Sequence, residues 1–319
     1  MMKTTIRLIA ATLFLTCVFT VPSFAWSDTG HMAVAFVAYQ RLDQDTKDRV
    51  DFLIRLNPRF NIWRSMIPSG TAPDVRRRML FMIAATWADQ IKGDGVHFAD
   101  GPNGGNTPPN NGTAARNIGY SDRAMHKYWH FIDLPFSTDG TPLRNPPVPN
   151  ALTQIAVFRN VLNSNRPDAL KSYDLVWLMH LVGDVHQPLH CVARFSQSSP
   201  HGDDGGNLVN VCTTPQQCGR LHAFWDGQLG TTNDPSIASQ IAQSLAPANA
   251  TLAANLNVSD WIEDGRSVAQ SAIYRTPIGP GAGPFNLTPQ YLSSAHLLAR
   301  QRVALAGARL ANILNNELR

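Results

Sequence analysis

A mainly α protein is predicted by three observations. Apolar residues recur at helical spacing through most of the chain, and convincing period-2 alternation is scarce. The two loop-like breaks in the pattern separate residues that belong to one chemical motif, so they do not read as interdomain linkers. Residues 29–43 (Thr-Gly-His-Met-Ala-Val-Ala-Phe-Val-Ala-Tyr-Gln-Arg-Leu-Asp) form the first amphipathic pattern. Similar patterns follow over 45–57, 73–91, 148–164, 168–186, 219–229, 234–246, 258–274 and 288–316. Asn207-Leu-Val-Asn-Val-Cys212 is the best strand candidate. The breaks are 93–119, with Gly101-Pro-Asn-Gly-Gly-Asn-Thr-Pro-Pro-Asn-Asn-Gly112, and the Ser/Gly/Asp-rich 195–206. No internal repeat or heptad seam is present, and one domain over 26–319 is the expectation.

Residues 1–25 read as a secretory signal. Lys3 and Arg7 give a basic start, Leu8 to Thr20 is apolar, and Pro22-Ser23-Phe24-Ala25 ends on small residues. The apolar run is shorter than the ~20 residues that span a bilayer, so no membrane anchor is expected. Cleavage after Ala25 makes Trp26 the mature N-terminus and places the protein outside the cell or in the periplasm. Removing Lys3 and Arg7 from the formal +4 leaves +2, too weak a balance to argue for nucleic-acid or membrane binding through net charge. Cys191, Cys212 and Cys218 remain in the mature chain. Cys212 and Cys218 could close a small disulfide loop in an oxidising compartment, with Cys191 left as a small buried residue, but spacing does not settle the pairing. Asn111, Asn249, Asn257 and Asn286 begin glycosylation acceptor triplets, which matter only in a eukaryotic host.

The chemistry concentrates in His180-Leu-Val-Gly-Asp184-Val-His-Gln-Pro-Leu-His190 and His222-Ala-Phe-Trp-Asp226. His and Asp four residues apart share one face of a helix. Neutral imidazole plus carboxylate is a donor set that Zn²⁺ favours. Pro188 breaks the helix and lets His190 turn back toward the same region. For a lone histidine, a hydrogen-bonded structural role is commoner than ligation. That reading is given to His97, His126, His201 and His296, and His186 has no partner at ligand spacing.

The set Trp26-Ser-Asp-Thr-Gly-His31, Trp87-Ala-Asp89, His130-Phe-Ile-Asp133, His180 to His190, Gly205-Gly-Asn207 and His222-Ala-Phe-Trp-Asp226 resembles the secreted zinc-dependent single-strand nucleases of fungi, plants and bacteria. That family shares a fold with zinc phospholipase C. The resemblance runs from Trp26 to about residue 230; the remaining third carries no matching motif. It implies a single compact helical domain with three zinc ions in one cleft. By motif, Asp89, His130, His180 and Asp184 bind one ion, and His190, His222 and Asp226 a second. The third falls to His31, a bridging Asp184, and the amine and carbonyl of Trp26.

The resemblance further implies action on single-stranded DNA and RNA and on nucleotides; a monomer is the expectation, though the sequence does not reveal the oligomeric state. Asp89 orients the attacking water, Phe131 and Asp133 bind the base, and Asn207 contacts substrate. Lys92 stands where fungal relatives usually carry Arg; it keeps the charge but loses the bidentate grip on phosphate. Two rival readings are a zinc phospholipase C and a zinc-binding protein without turnover. Asp226 argues against the first, because phospholipases typically carry Glu there. The size of the ligand set argues against the second, since structural zinc sites close with four ligands.

Overall fold

The computed structural model describes residues 26–318, so the expected leader and its cleavage site lie outside the described residues, as does Arg319. The helices run in order as α1 (Asp28–Arg41), α2 (Gln44–Arg55), α3 (Phe60–Ser65), α4 (Pro73–Ala84), α5 (Trp87–Gln90) and α6 (Pro102–Gly105). After β1 (Leu134–Ser137) come α7 (Ala151–Leu162), α8 (Asp168–Asp184) and the strands β2 (Val192–Phe195), β3 (Asn210–Thr214) and β4 (Gln217–Arg220). Then follow α9 (Leu221–Asp226), α10 (Pro235–Gln243), α11 (Ala250–Ala254), α12 (Val258–Val268), β5 (Phe285–Asn286) and α13 (Pro289–Glu317). The class expectation holds.

Local chemistry sets most helix starts. Asp43, Asn150, Asp234 and Thr288 each accept a backbone N–H of the first turn with their side chains, and Pro73, Pro235 and Pro289 occupy first-turn positions. The acceptor-triplet residues Asn249 and Asn257 are themselves N-caps, of α11 and α12.

Two helices are buried nearly all round and form the centre. In α8 every residue from Ser172 to Asp184 is buried, and in α1 every residue from Thr29 to Phe36. Around them α13, α4 and α10 pack on α1, while α7 and α2 pack on α8. A central helix shielded from water on all faces can hold ionisable side chains only if they are paired or bind a cation, which makes the placement of His31, His180 and Asp184 informative.

Helix α13 approaches α1 closely enough that a Cβ on Gly307 would lie 2.5 Å from Val37 Cβ and 2.7 Å from the Val34 carbonyl. Gly307→Ala is therefore expected to cost ~1–3 kcal/mol as an overpacked core. For a domain of this size that is roughly a 2–10 °C fall in Tm, measurable by calorimetry.

Several expectations are corrected. The helix expected across 73–91 breaks after Ala84. The Thr86 hydroxyl donates to the Ile83 carbonyl at 2.8 Å, and the chain restarts as α5 with Asp89 N bonded to Thr86 O at 3.2 Å. A hydroxyl that bonds its own preceding turn competes with helix propagation. The helix expected over 219–229 is only α9, because Gln217–Arg220 is taken by an antiparallel ladder with β3 that pairs Cys212 with Cys218. Those two cysteines form the disulfide, and Cys191 is free and buried.

The strand expected at 207–212 begins only at Asn210. Residues 203–209 instead turn tightly, with Gly205 and Gly206 at φ 58° and 83°. The expected 258–274 helix is α12 continued by a π-helical turn, Ala269–Ile273. Helices α3, α6 and α11 and the parallel pair β1·β2 were not expected. That pair sets the 130–133 segment beside 190–192, with Ile132 N donating to His190 O at 2.8 Å.

Candidate metal centre

All eight predicted side-chain ligands are buried and converge. His31 comes from α1, Asp89 from α5, His180 and Asp184 from consecutive turns of α8, and His222 and Asp226 from α9. His130 follows a short 3-10 turn, Lys127–Trp129, and His190 lies within another, Pro188–Cys191. The break between Asp184 and His190 has a backbone cause: Gln187, held extended at ψ 113° ahead of Pro188, cannot continue α8. Ligand atoms gather in the groups His31/Asp89/His180, His130/His180/Asp184 and His190/His222/Asp226, each within 4.8 Å.

The hydrogen bonds identify what these groups offer. His180 Nδ1 donates to Ala85 O at 2.8 Å, His190 Nδ1 to His130 O at 2.9 Å, and His222 Nδ1 to Gly205 O at 2.7 Å. Each ring therefore directs its Nε2 lone pair inward, the arrangement by which backbone carbonyls orient metal-binding imidazoles. The consequence is plain at the second group. His190 Nε2 and His222 Nε2 lie 3.0 Å apart, each a lone pair with no proton to share. Asp226 oxygens approach them at 4.0 and 3.6 Å. Four donors at ~2.0–2.1 Å from a tetrahedral zinc ion stand ~3.3 Å from one another, so this spacing is what a cation at the centre requires.

Asp184 faces two ways. Its Oδ1 lies 3.3 Å from His31 Nε2, while Oδ2 lies 3.0 Å from His130 Nδ1 and 3.5 Å from His180 Nε2. Asp89 Oδ1 completes the latter group, 3.6 Å from His180 Nε2 and 3.8 Å from His130 Nδ1. His31 stacks on His180 with centroids 3.7 Å apart. Both His31 nitrogens, Asp184 Oδ1 and Asp226 Oδ2 are buried without a hydrogen-bond partner. Orphaned buried acceptors are costly unless something cationic satisfies them. The residues present fit a metal.

Electrostatics agree. Burial pulls His31 down to about 4 and His130 and His222 to about 3, so these rings are neutral near pH 7 and free to ligate. Burial opposes charge on His180 too, but Asp184 and Asp89 outweigh it and raise that ring. Burial likewise works to raise Asp184, yet His180, the hydrogen bond with His130 and the close His31 ring hold it below the usual carboxylate range. Asp226 is pushed well up by burial and by the fields of Asp89 and Asp184. With all four carboxylates ionised, Asp28, Asp89, Asp184 and Asp226 against Lys92 would sum to −3, and the raised Asp226 and Asp28 show that the site resists this charge unless a cation offsets it.

Trp26 is fully buried against the first turn of α1, where a Cβ on Gly30 would lie 2.6 Å from Trp26 Cβ. Ser27 N donates to Asp226 O at 3.1 Å, and Ser27 Oγ to Gly230 O at 2.5 Å. The N-terminal turn is thus tied to the segment carrying Asp226. Lys92 Nζ sits on Asp89 Oδ1 at 2.6 Å, inside the cluster's edge. Phe131 and Asp133 are half-buried and line a small cleft with Pro146, Pro147 and Pro149. Asn207 donates to Asp204 O at 2.9 Å, in the loop whose Gly205 carbonyl holds His222.

The histidines given structural roles stay outside the cluster. His186 is satisfied in the core by Val182 O at 2.7 Å and Arg309 at 3.0 Å. His126 lies between Asp100 and Asp122 and stacks on Trp129 at 3.6 Å. His97 pairs with Asp94, His296 with Gln228 O, and His201 is exposed. Cys191 is no ligand: its thiol donates to Val185 O at 3.3 Å.

Two residues near the ligands escape a search for ligands. Gln187, inside the His180–His190 block, donates through Nε2 to Asp226 Oδ1 at 2.8 Å and accepts from Leu189 N at 2.7 Å. Asp28, within the first motif, is raised by burial to about 6, with Asp89 adding and His180 opposing. Gln187→Ala is expected to leave the fold intact and to weaken metal binding by ~10–100-fold, the usual effect of losing an outer hydrogen bond to a ligand. Titration with a chelator reads this directly.

A family model described as S1/P1 Nuclease matches residues 26–319. The chain is 22% identical to Endonuclease 2 of Arabidopsis thaliana over 302 residues, covering 91% of this chain and 89% of that protein. It is 23% identical to Endonuclease 3 of the same plant, over 65% of this chain and 55% of that one. It is 28% identical to Endonuclease 4, over 48% and 54% respectively. These matches favour a nuclease over a phospholipase, and the match over the whole described chain joins the donor cluster to one conclusion: the protein belongs to the S1/P1 nuclease family and is a metal-dependent phosphodiester hydrolase.

Proposed function

We propose that this chain is a secreted or periplasmic, monomeric, zinc-dependent endonuclease. It hydrolyses single-stranded DNA and RNA to 5′-phosphorylated products and removes 3′-phosphates from nucleotides. The observation that carries this reading is the convergence of proton-free imidazole nitrogens and carboxylate oxygens, with His190 and His222 facing at 3.0 Å and Asp184 shared between two groups. His130, His180, Asp184 and Asp89 would hold one zinc ion and His190, His222 and Asp226 a second. His31, Asp184 and the Trp26 amine and carbonyl would hold the third. Bound zinc supplies a Lewis acid for phosphoryl oxygens and lowers the pKa of water.

The chain's own residues do the rest. Asp89, fixed on one oxygen by Lys92, orients the attacking water with the other. Lys92 keeps an ammonium within reach of a phosphate that enters the cluster. Breaking the P–O3′ bond leaves the phosphate on the 5′ side of the product. Phe131 offers a ring face and Asp133 a hydrogen-bonding carboxyl to a base, and Asn207 a contact from the facing loop. Burial, with Asp204 and Asp203, pushes Asp133 well up. A base reaches such a platform only after leaving a helical stack, and stacking returns ~1–3 kcal/mol per base. Single strands, with that step already made, are preferred.

The test is hydrolysis by zinc-loaded protein beginning at Trp26. Release of acid-soluble 5′-phosphorylated nucleotides, faster from single than from double strands, is the expected result. Phosphocholine release without nucleotides, or bound zinc without turnover, would overturn it.

A further inference from the structure

The weak net charge of the chain hides a sharp asymmetry. Residues 52–80 hold Arg55, Arg59, Arg64, Arg76, Arg77 and Arg78 against Asp74 alone, +6 − 1 = +5, whereas the whole chain sums to +4. The other residues are therefore −1 in total. A formal +5 in one stretch is a focused field that net charge conceals.

The fold turns this stretch into a cleft. Between α2, α3 and α4 lies a groove of about 620 Å³ lined by Arg55, Arg64, Arg76 and Arg77, with Phe60 and Leu80 among its apolar lining. No metal-ligand candidate lines it. Arg77 is already engaged, by Asp74 at 2.5 Å, Asp51 at 3.4 Å and Asp48 at 3.5 Å. Arg76 donates to Thr71 O at 3.1 Å, and Arg59, outside the groove, pairs with Asp94 at 3.2 Å. Arg55 and Arg64 are exposed and make no hydrogen bond or ion pair among the described residues, although the Arg55 charge is felt by Asp51. Two unpaired guanidinium groups beside a half-buried phenyl ring present the two features that bind single strands: cations for phosphate and a ring face for a base.

The groove shares its walls with the metal centre. Helix α4 carries Arg76 and Arg77 and ends at Ala84, one residue before Ala85, whose carbonyl holds His180. Eight residues at 1.5 Å put Arg77 about 12 Å from Ala85 along the axis. On the other wall Trp63 Nε1 donates to Gln90 Oε1 at 3.2 Å, one residue beyond Asp89. That reach is modest against the ~4–16 nucleotides that single-strand grooves hold.

We infer that the Arg55/Arg64/Arg76/Phe60 groove is a second substrate-binding site, which grips the phosphodiester backbone of a single-stranded polynucleotide some nucleotides away from the bond being cut. The inference rests on the nuclease reading and deepens it: the enzyme would favour long strands over short ones. Its concave shape fits a strand rather than a flat lipid surface, although Ile62 and Met66 beside it are exposed.

The experiment compares wild type with Arg55→Gln/Arg64→Gln on long single-stranded DNA and on a dinucleotide, across a salt series. For the long strand KM is expected to rise roughly tenfold at low salt, and the slope of log KM against log salt to fall by ~1.4, at ~0.7 per lost phosphate contact. The dinucleotide KM and kcat should not move. Arg64→Gln alone should give about half the slope change, which guards against a folding defect in the double variant. An equal change on both substrates, or an unchanged slope, overturns the inference. So does loss of binding to phosphatidylserine vesicles with KM intact, which would make the surface a membrane contact. If wild type cleaves neither substrate, the nuclease reading itself fails. Anisotropy of a fluorescent oligothymidylate then decides the groove alone: weaker binding by the variant supports it, and equal binding overturns it.

Discussion

Asp184→Asn is expected to remove zinc from two of three positions and to abolish hydrolysis, by ~10³-fold or more against the ~10–100-fold cost of disturbing an outer partner. The carboxylate is fully buried, and its two oxygens face separate acceptor groups, His31 on one side and His130 with His180 on the other. An amide has the same shape but one oxygen. Its NH₂ must point at one of the two groups, and a donor there occupies the place a cation needs. Loss of the charge also removes one of the two carboxylate fields that raise His180, and the smaller addition Asp184 makes to the effect of burial on Asp226. Because His180, His130 and His31 favour the ionised form of Asp184, removing its charge is expected to cost the metal-free fold stability as well, so folding is checked on the same sample. Zinc per chain and single-strand hydrolysis, measured on the same sample, give the result. Three zinc ions with near-normal turnover would show that Asp184 bridges nothing.

A single residue added before Trp26 is the second large effect. If the Trp26 amine is a ligand, an amide in its place has no lone pair to offer, and the third ion loses that donor and the chelate ring it closes with the Trp26 carbonyl. The neighbouring geometry leaves the chain end little freedom. Trp26 has no solvent exposure, Ser27 is bonded to Asp226 O and Gly230 O, and Thr29 Oγ1 donates to Thr232 O at 2.9 Å. Protein beginning at Trp26 should carry three zinc ions and the extended form two, with activity down ~10²-fold or more, in the range seen when one electrostatic contributor to a transition state is removed. An extended form with full metal and full activity would show that Trp26 only packs.

The donor cluster was legible in two ways: His180, Asp184, His190, His222 and Asp226 through spacing that physics restricts, and His31, Asp89 and His130 only through the family resemblance. His180/Asp184 and His222/Asp226 had to share helix faces, and they do. Pro188 had to end α8 before His190, and it acts through Gln187 one residue earlier. What the spacing did not carry is how the ligands are held. The orienting partners of His180, His190 and His222 are the carbonyls of Ala85, His130 and Gly205, and every residue has a carbonyl. The break at Thr86 that frees the Ala85 carbonyl is invisible in a run whose apolar periodicity continues through it. Strands of two to five residues, such as β1 and β5, are too short for alternation to register. The disulfide needed the β3·β4 register to choose among three cysteines. Charge shows how a sum hides a pattern: a formal +4 over the chain contains +5 within residues 52–80.

The direct test of the centre is an anomalous-difference map at the zinc edge from crystals of the processed protein. It should show three peaks in one cleft. One lies between His190, His222 and Asp226, one among Asp89, His130, His180 and Asp184, and one between His31 and Asp184 at the Trp26 terminus. Peaks absent from these positions, in crystals of protein that still hydrolyses single strands after exhaustive chelation, would contradict the account.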